Sequence, residues 1–182
     1  SNLDDDGPGS LRAAVEADGP RTVVFDVGGT IRLRRPLTIA NGRITIAGQT
    51  APGGGITLRD HALRIEADDV VVRFIRSRLG DKGGENEDAI SVISGQRIIL
   101  DHVSASWGTD ETLSVSPNWR RGDRLGDVTV QWSIISESLC GPQPQRVKHC
   151  YGSLVGAARG ARISFHHNLW AYHAGRMPRP AN

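Results

Sequence analysis

Asp69-Val-Val-Val-Arg-Phe-Ile-Arg-Ser-Arg78, Arg97-Ile-Ile-Leu-Asp-His-Val-Ser-Ala-Ser106, Asp127-Val-Thr-Val-Gln-Trp-Ser-Ile-Ile-Ser136 and Arg162-Ile-Ser-Phe-His-His-Asn-Leu-Trp-Ala171 share one pattern. Their strand starts, together with that of Ile44, fall at Ile44, Val70, Ile98, Val128 and Ile163, which are 26, 28, 30 and 35 residues apart. A second family of short strands is expected at Gly55–Leu58, Ala89–Ile93, Leu113–Ser116 and Ser153–Val155. A loose period of this size, built from short strands, is the signature of a solenoid. A β-sandwich would need hairpins with Asn-Gly or Asp-Gly turns between alternating strands, and Asn41-Gly42 is the one clear case. The copies run in one direction, so the expected fold is all-β: a right-handed, single-stranded parallel β-helix. The widening period predicts loops that lengthen towards the C-terminal half, and solenoid insertions commonly gather on one face.

Working outward, further strands are expected at Thr22–Val27, Ile44–Ala47, Val70–Phe74, Ile98–His102, Val128–Trp132 and Ile163–His167. One helix is expected, Ser10–Ala17, N-capped by Ser10 and closing the N-terminal end as a cap over residues 1–20. The 182 residues suit a single domain over 1–182. A chain of this length buries about 70% of its unfolded surface. Hydrophobic residues at 38% and charged residues at 23% argue against long-range disorder. No apolar run is long enough for a membrane-spanning helix, and no signal-peptide pattern opens the sequence. Lys and Arg number 22 against 20 Asp and Glu, with no basic block, which argues against a nucleic-acid binder. Cys140 and Cys150 either bridge a short loop or stand as free buried thiols.

The acidic residues gather where the loops widen: Glu85-Asn-Glu-Asp88, Asp110-Glu111 and Glu137. Rungs of a β-helix stack about 4.8 Å apart, so acids at equivalent edges converge. Oxygen ligands without matching thiols or paired imidazoles suit a hard cation such as Ca2+. Solvated turn acids are the plainer alternative. Asp101-His102 reads as a hydrogen-bonded pair ordering a turn, because adjacent strand residues point to opposite faces. The same rule makes His166-His167 a poor pair of metal ligands, and zinc wants three or four convergent donors. Asn168 reads instead as part of an interior hydrogen-bond ladder. Arg176-Met-Pro-Arg179 carries two arginines around a proline, a natural clamp for carboxylates.

Together these pieces resemble the pectate lyase superfamily, in particular polysaccharide lyase family 1 of bacterial type. Gly7-Pro-Gly-Ser-Leu-Arg-Ala-Ala-Val15 and Val23-Val-Phe-Asp-Val-Gly-Gly-Thr-Ile31 resemble its N-terminal cap and first coil. Ile44-Thr-Ile-Ala-Gly-Gln-Thr-Ala-Pro-Gly53, Ile99-Leu-Asp-His-Val-Ser-Ala-Ser-Trp-Gly-Thr-Asp-Glu111, Val128-Thr-Val-Gln-Trp132 and Arg176-Met-Pro-Arg179 follow in family order. The resemblance implies Ca2+-assisted β-elimination of polygalacturonate by a secreted enzyme, extracellular or periplasmic. It implies Arg176 as the base, and Arg179, Lys148 and His149 as substrate contacts. Asp88 with Asp110 and Glu111 would be the metal ligands. Asn86 and Ser114 stand where further Asp residues are common, and Tyr151 falls where a substrate-binding lysine is usual. Family members continue through further coils, so the end at Asn182 suits a fragment, a minimal member, or one that covers its open end by self-association; a monomer is otherwise expected. Rival functions are a silent β-helix that binds an acidic polysaccharide, and a lyase for another uronate polymer or for methylated pectin.

Overall fold

The computed structural model describes residues 2–83, 86–118, 124–140, 149–157 and 160–181. They form a parallel β-helix. Each turn contributes up to three short strands, one to each of three faces. The first face stacks β1 (Arg21–Val23), β4 (Ile44–Ala47), β7 (Val70–Arg73), β9 (Ile90–Asp101), β12 (Leu125–Gln131) and β15 (Ile163–His166). The second face stacks β2 (Gly29–Arg32), β5 (Ile56–Arg59), β8 (Ile75–Arg78), β10 (Ser104–Ser106), β13 (Ile134–Ser136) and β16 (Leu169–Ala171). The third stacks β3 (Leu37–Ile39), β6 (Leu63–Glu66), the opening half of β9, β11 (Leu113–Val115), β14 (Leu154–Gly156) and β17 (Arg179–Ala181). All pairings are parallel, and β9 runs from the third face into the first, joining the two into one 11-stranded sheet. At its midpoint Gly95 adopts φ +112°, and a Cβ there would meet the Ala67 carbonyl oxygen at 2.2 Å, so only glycine lets β9 lie so close to the preceding turn.

Alternation within the strands makes the core. On the first face Ile44, Val70, Ile98 and Val128 are buried and in register, as are Ile46, Val72, Leu100 and Val130. The third face adds Leu37, Leu63, Ile90 and Leu113. Stacked β-branched residues on successive rungs bury large apolar area at about 25 cal/mol per Å². The N-terminal helix α1 (Leu11–Glu16) closes one end with Leu11 and Val15, and Ser10 caps it by accepting from the Ala13 amide at 3.1 Å. Arg12 is buried there and donates to Asp5 at 2.7 Å and to the Arg35 and Pro36 carbonyls. No helix among the described residues is long and apolar enough to cross a membrane.

Two expectations need correcting. The strands expected as one second family split: Gly55–Leu58 belongs to the second face, whereas Ala89–Ile93, Leu113–Ser116 and Ser153–Val155 belong to the third. The four quoted copies each hold two strands, not one. Phe74, His102, Trp132 and His167 occupy a left-handed bend (φ 54°, 54°, 51° and 56°) that turns the chain from the first face to the second. Left-handed φ in non-glycine residues is uncommon, though histidine is enriched there, and Phe74 and Trp132 give no signal of it in their residue type. The Cys140–Cys150 alternatives resolve as a disulfide. Asn168 does form a ladder, accepting from the Ser133 amide at 2.9 Å and donating to the Val130 carbonyl at 2.8 Å.

Candidate active site

The described residues between the second face and the third stack at one corner of the helix. Asp88 sits just before β9, and Asp110 and Glu111 just before β11. Tyr151 precedes β14 and Arg176 precedes β17. Glu111, Tyr151 and Gly175 are bridged in register from turn to turn. Carboxylate oxygens of Asp88, Asp110 and Glu111 all lie within 4.8 Å of one another. The convergence of acids at equivalent edges is therefore found for these three. Glu137 does not join them: it follows β13 and accepts from the Trp107 indole N–H at 3.1 Å. Glu85 lies outside the described residues.

Crowding like charges raises their cost. Burial, reinforced by Asp110, pushes the Asp88 carboxyl up to about 7, although Ser114 and Ser91 donate to it. The Glu111 amide also donates to Asp88 Oδ1 at 3.0 Å. Arg176 pairs with Glu111, and its guanidinium lies 4.0 Å over the Tyr151 ring. Among the described residues, Glu111 Oε1 and Arg176 Nε are buried without a hydrogen-bond partner beyond that ion pair. Arg176 itself takes φ 56°. Its carbonyl accepts from the Ser153 amide at 2.6 Å. A Cβ on Gly152 would meet that carbonyl at 2.5 Å, so glycine is what lets the arginine loop lie against β14. His149 Nδ1 contacts Asp110 Oδ1.

The structure thus brings together Asp88, Asp110, Glu111, Arg176 and His149. Arg179 is exposed on β17, in register with Leu154. Lys148 lies outside the described residues. Two contributors went unread in the sequence. Ser91, three residues after Asp88, is a hydroxyl at helix-like spacing on what proves to be a strand. Arg64 pairs with Glu87 and lines the same roughly 350 Å³ groove as Asp88, Ser91, Ser114 and Leu154. Only the register of β6 with β9, which places Arg64 opposite Ser91, reveals it.

Among the described residues, Asp88, Asp110 and Glu111 form a group that could hold a metal ion, each offering one carboxylate oxygen, and oxygen donors suit a hard cation. The raised Asp88 carboxyl marks the cost of burying a carboxylate beside Asp110.

The chain is 42% identical over 180 residues to a probable pectate lyase C of Neosartorya fischeri, covering 98% of this chain and 39% of that protein. A probable pectate lyase C of Aspergillus oryzae is 41% identical over the same coverage. A probable pectate lyase of Solanum lycopersicum is 31% identical over 134 residues, which is 60% of this chain and 32% of that protein. No protein-family model matches the chain. The chain spans about two fifths of the length of the fungal relatives it matches. The resemblance to the pectate lyase superfamily is upheld along nearly the whole chain.

Proposed function

We propose, for a chain related over 98% of its length to probable pectate lyases, that the corner of Asp88, Asp110, Glu111 and Arg176 cleaves polygalacturonate by β-elimination. The observation that carries this reading is the arginine set against crowded carboxylates on consecutive turns.

Elimination removes the C5 proton of a galacturonate, forms the C4=C5 double bond and expels the C4 oxygen with the next sugar. The proton lies α to a carboxylate and is weakly acidic, so charge building on that carboxylate must be offset. Asp88, Asp110 and Glu111 would hold Ca2+, which when bound would supply positive charge to offset the charge building on the uronate carboxylate. Arg176 takes the C5 proton. An arginine side chain is ordinarily protonated in water, so the reaction is expected to run at alkaline pH. Tyr151 and the Gly152–Ser153 backbone hold the guanidinium and its loop in place. Ser91, Ser114 and Leu154 form a floor of modest side chains along the groove. Arg179 lies one turn past Leu154, in reach of a further uronate carboxylate. The substrate is an extracellular polymer, so the reading places the protein outside the cell.

The test is the absorbance of the conjugated 4,5-unsaturated product from polygalacturonate at alkaline pH, with Ca2+ or with a chelator. A rise that chelator abolishes and Arg176→Ala removes supports the reading. A rise that survives chelator overturns the metal assignment. A flat trace from folded protein that still binds the polymer overturns the lyase in favour of a binding module.

A further inference from the structure

The bend between the first and second faces carries a residue pair on each of four turns: Arg73-Phe74, Asp101-His102, Gln131-Trp132 and His166-His167. The second members form an outward column. Phe74 stacks on His102 at 4.6 Å, His102 faces Trp132 at 6.3 Å, and Trp132 stacks on His167 at 4.1 Å. Within two of the pairs, the left-handed bend brings the two side chains together. Asp101 Oδ1 meets His102 Nδ1 at 2.7 Å, an acceptor facing a donor. In the last pair the acid is replaced by a second imidazole, and His166 Nδ1 meets His167 Nδ1 at 2.8 Å.

Here two like atoms face each other. A neutral imidazole has one N–H and one lone pair. The two Nδ1 atoms make a hydrogen bond only if one ring carries its proton there; otherwise both lone pairs converge on one point. Metal–nitrogen bonds of about 2.0–2.1 Å at a right angle place two nitrogens about 2.8–3.0 Å apart, whereas a tetrahedral angle places them about 3.3 Å apart. The observed separation matches adjacent corners of a square. The rings are preset for it. They stand at 88° to each other, Trp132 fixes the His167 plane at 19° to its own, and His166 is held in β15 opposite Gln131. The pair is open to water, which leaves the remaining coordination positions to solvent.

We propose that His166 and His167 form a bidentate site for a divalent transition metal of tetragonal preference, Cu2+ or Ni2+. It lies at the corner between the first and second faces, apart from the oxygen-ligand corner between the second and third. The expectation that neighbouring histidines face opposite sides fails because His167 is the bend residue and not a strand residue.

The experiment titrates the whole chain with CuCl2 in excess Ca2+, which keeps the acid trio occupied by a hard cation. Tryptophan emission reports quenching of Trp132, and electron paramagnetic resonance counts coordinating nitrogens. One equivalent with a two-nitrogen pattern is expected. His166→Asp rebuilds the Asp101–His102 arrangement, and His167→Phe keeps a ring against Trp132; both preserve the fold, which circular dichroism checks. Each should weaken Cu2+ binding at least about tenfold, by the scale at which lost coordination support is felt. Affinity unchanged in both variants, or a parent protein that binds no Cu2+ under these conditions, overturns the site and leaves the pair as an N–H···N hydrogen bond.

Discussion

Two corners of the same helix treat charge in opposite ways. Where each turn enters the first face, Arg43, Asp69, Arg97, Asp127 and Arg162 alternate in sign from turn to turn. Arg97 donates to Asp69 at 2.6 Å and Arg162 to Asp127 at 2.6 Å. Further along that face, buried Asp101 takes bonds from Arg73 at 2.7 Å, Gln131 at 3.1 Å and His102. At the corner between the second and third faces, Asp88, Asp110 and Glu111 crowd together, with Arg176 paired to Glu111. The stacking geometry is the same in both places. A column of alternating sign satisfies itself, and a column of like sign does not. Site and scaffold differ here in the order of charges along the axis, and not in the fold.

The largest expected effect follows from removing the arginine that pairs with Glu111. Arg176→Ala should lower the elimination rate by about 100- to 10,000-fold, the range for loss of an acid–base group, with the circular dichroism spectrum unchanged. An equally large loss from Arg97→Ala would break the contrast, because that arginine serves only the scaffold.

The next effect is on stability and has opposite pH signs in the two regions. The Asp88 carboxyl sits at about 7 when folded, against an ordinary 3.8. Between those values the folded state keeps a proton that the unfolded state has released, so stability falls as pH rises through that window. Asp88→Asn removes the loss, and the cation-free protein should melt about 3 °C or more higher at pH 8, at about 2–4 °C per kcal/mol for a chain of this size. Calcium at a hundred times its dissociation constant should add about 2.7 kcal/mol to the parent and little to this variant. For Asp101, burial pushes the carboxyl up, but bonds from Gln131, His102 and Arg73 outweigh it and hold the carboxyl below the usual range. Its contribution is present above the ordinary carboxylate value and is lost as pH falls through the lower folded value. Asp101→Asn should cost about 1–3 kcal/mol near neutrality, measured by denaturant unfolding, with the difference fading in acid.

The smallest effect sharpens the comparison. Asp69 and Arg97 are exposed, so Arg97→Ala should change stability by no more than about 1 kcal/mol, and that difference should shrink in high salt.

Much of this was legible in the residues. The repeat copies and their spacing gave the parallel helix, and the acids at widening loops pointed to the corner where Asp88, Asp110 and Glu111 meet. Ser10 announced the helix cap. What stayed hidden depended on register or backbone. The strands β8, β10, β13 and β16 go unread, and the strands before them are read one residue too far, because Phe74, His102, Trp132 and His167 look like strand residues and are bends. Arg64 enters the groove only through the pairing of β6 with β9. The pairing of Arg176 with Glu111 spans two turns, a separation that no local pattern encodes.

The unbroken run of β9 through two faces has a mechanical consequence. A stack of short strands yields to a pulling force one turn at a time, since each bend is a place to tear. The turn containing β9 lacks one such place, so peeling either face there loads the other. Extension from one end should proceed in small steps, stall at this turn, and then give way in a single larger one.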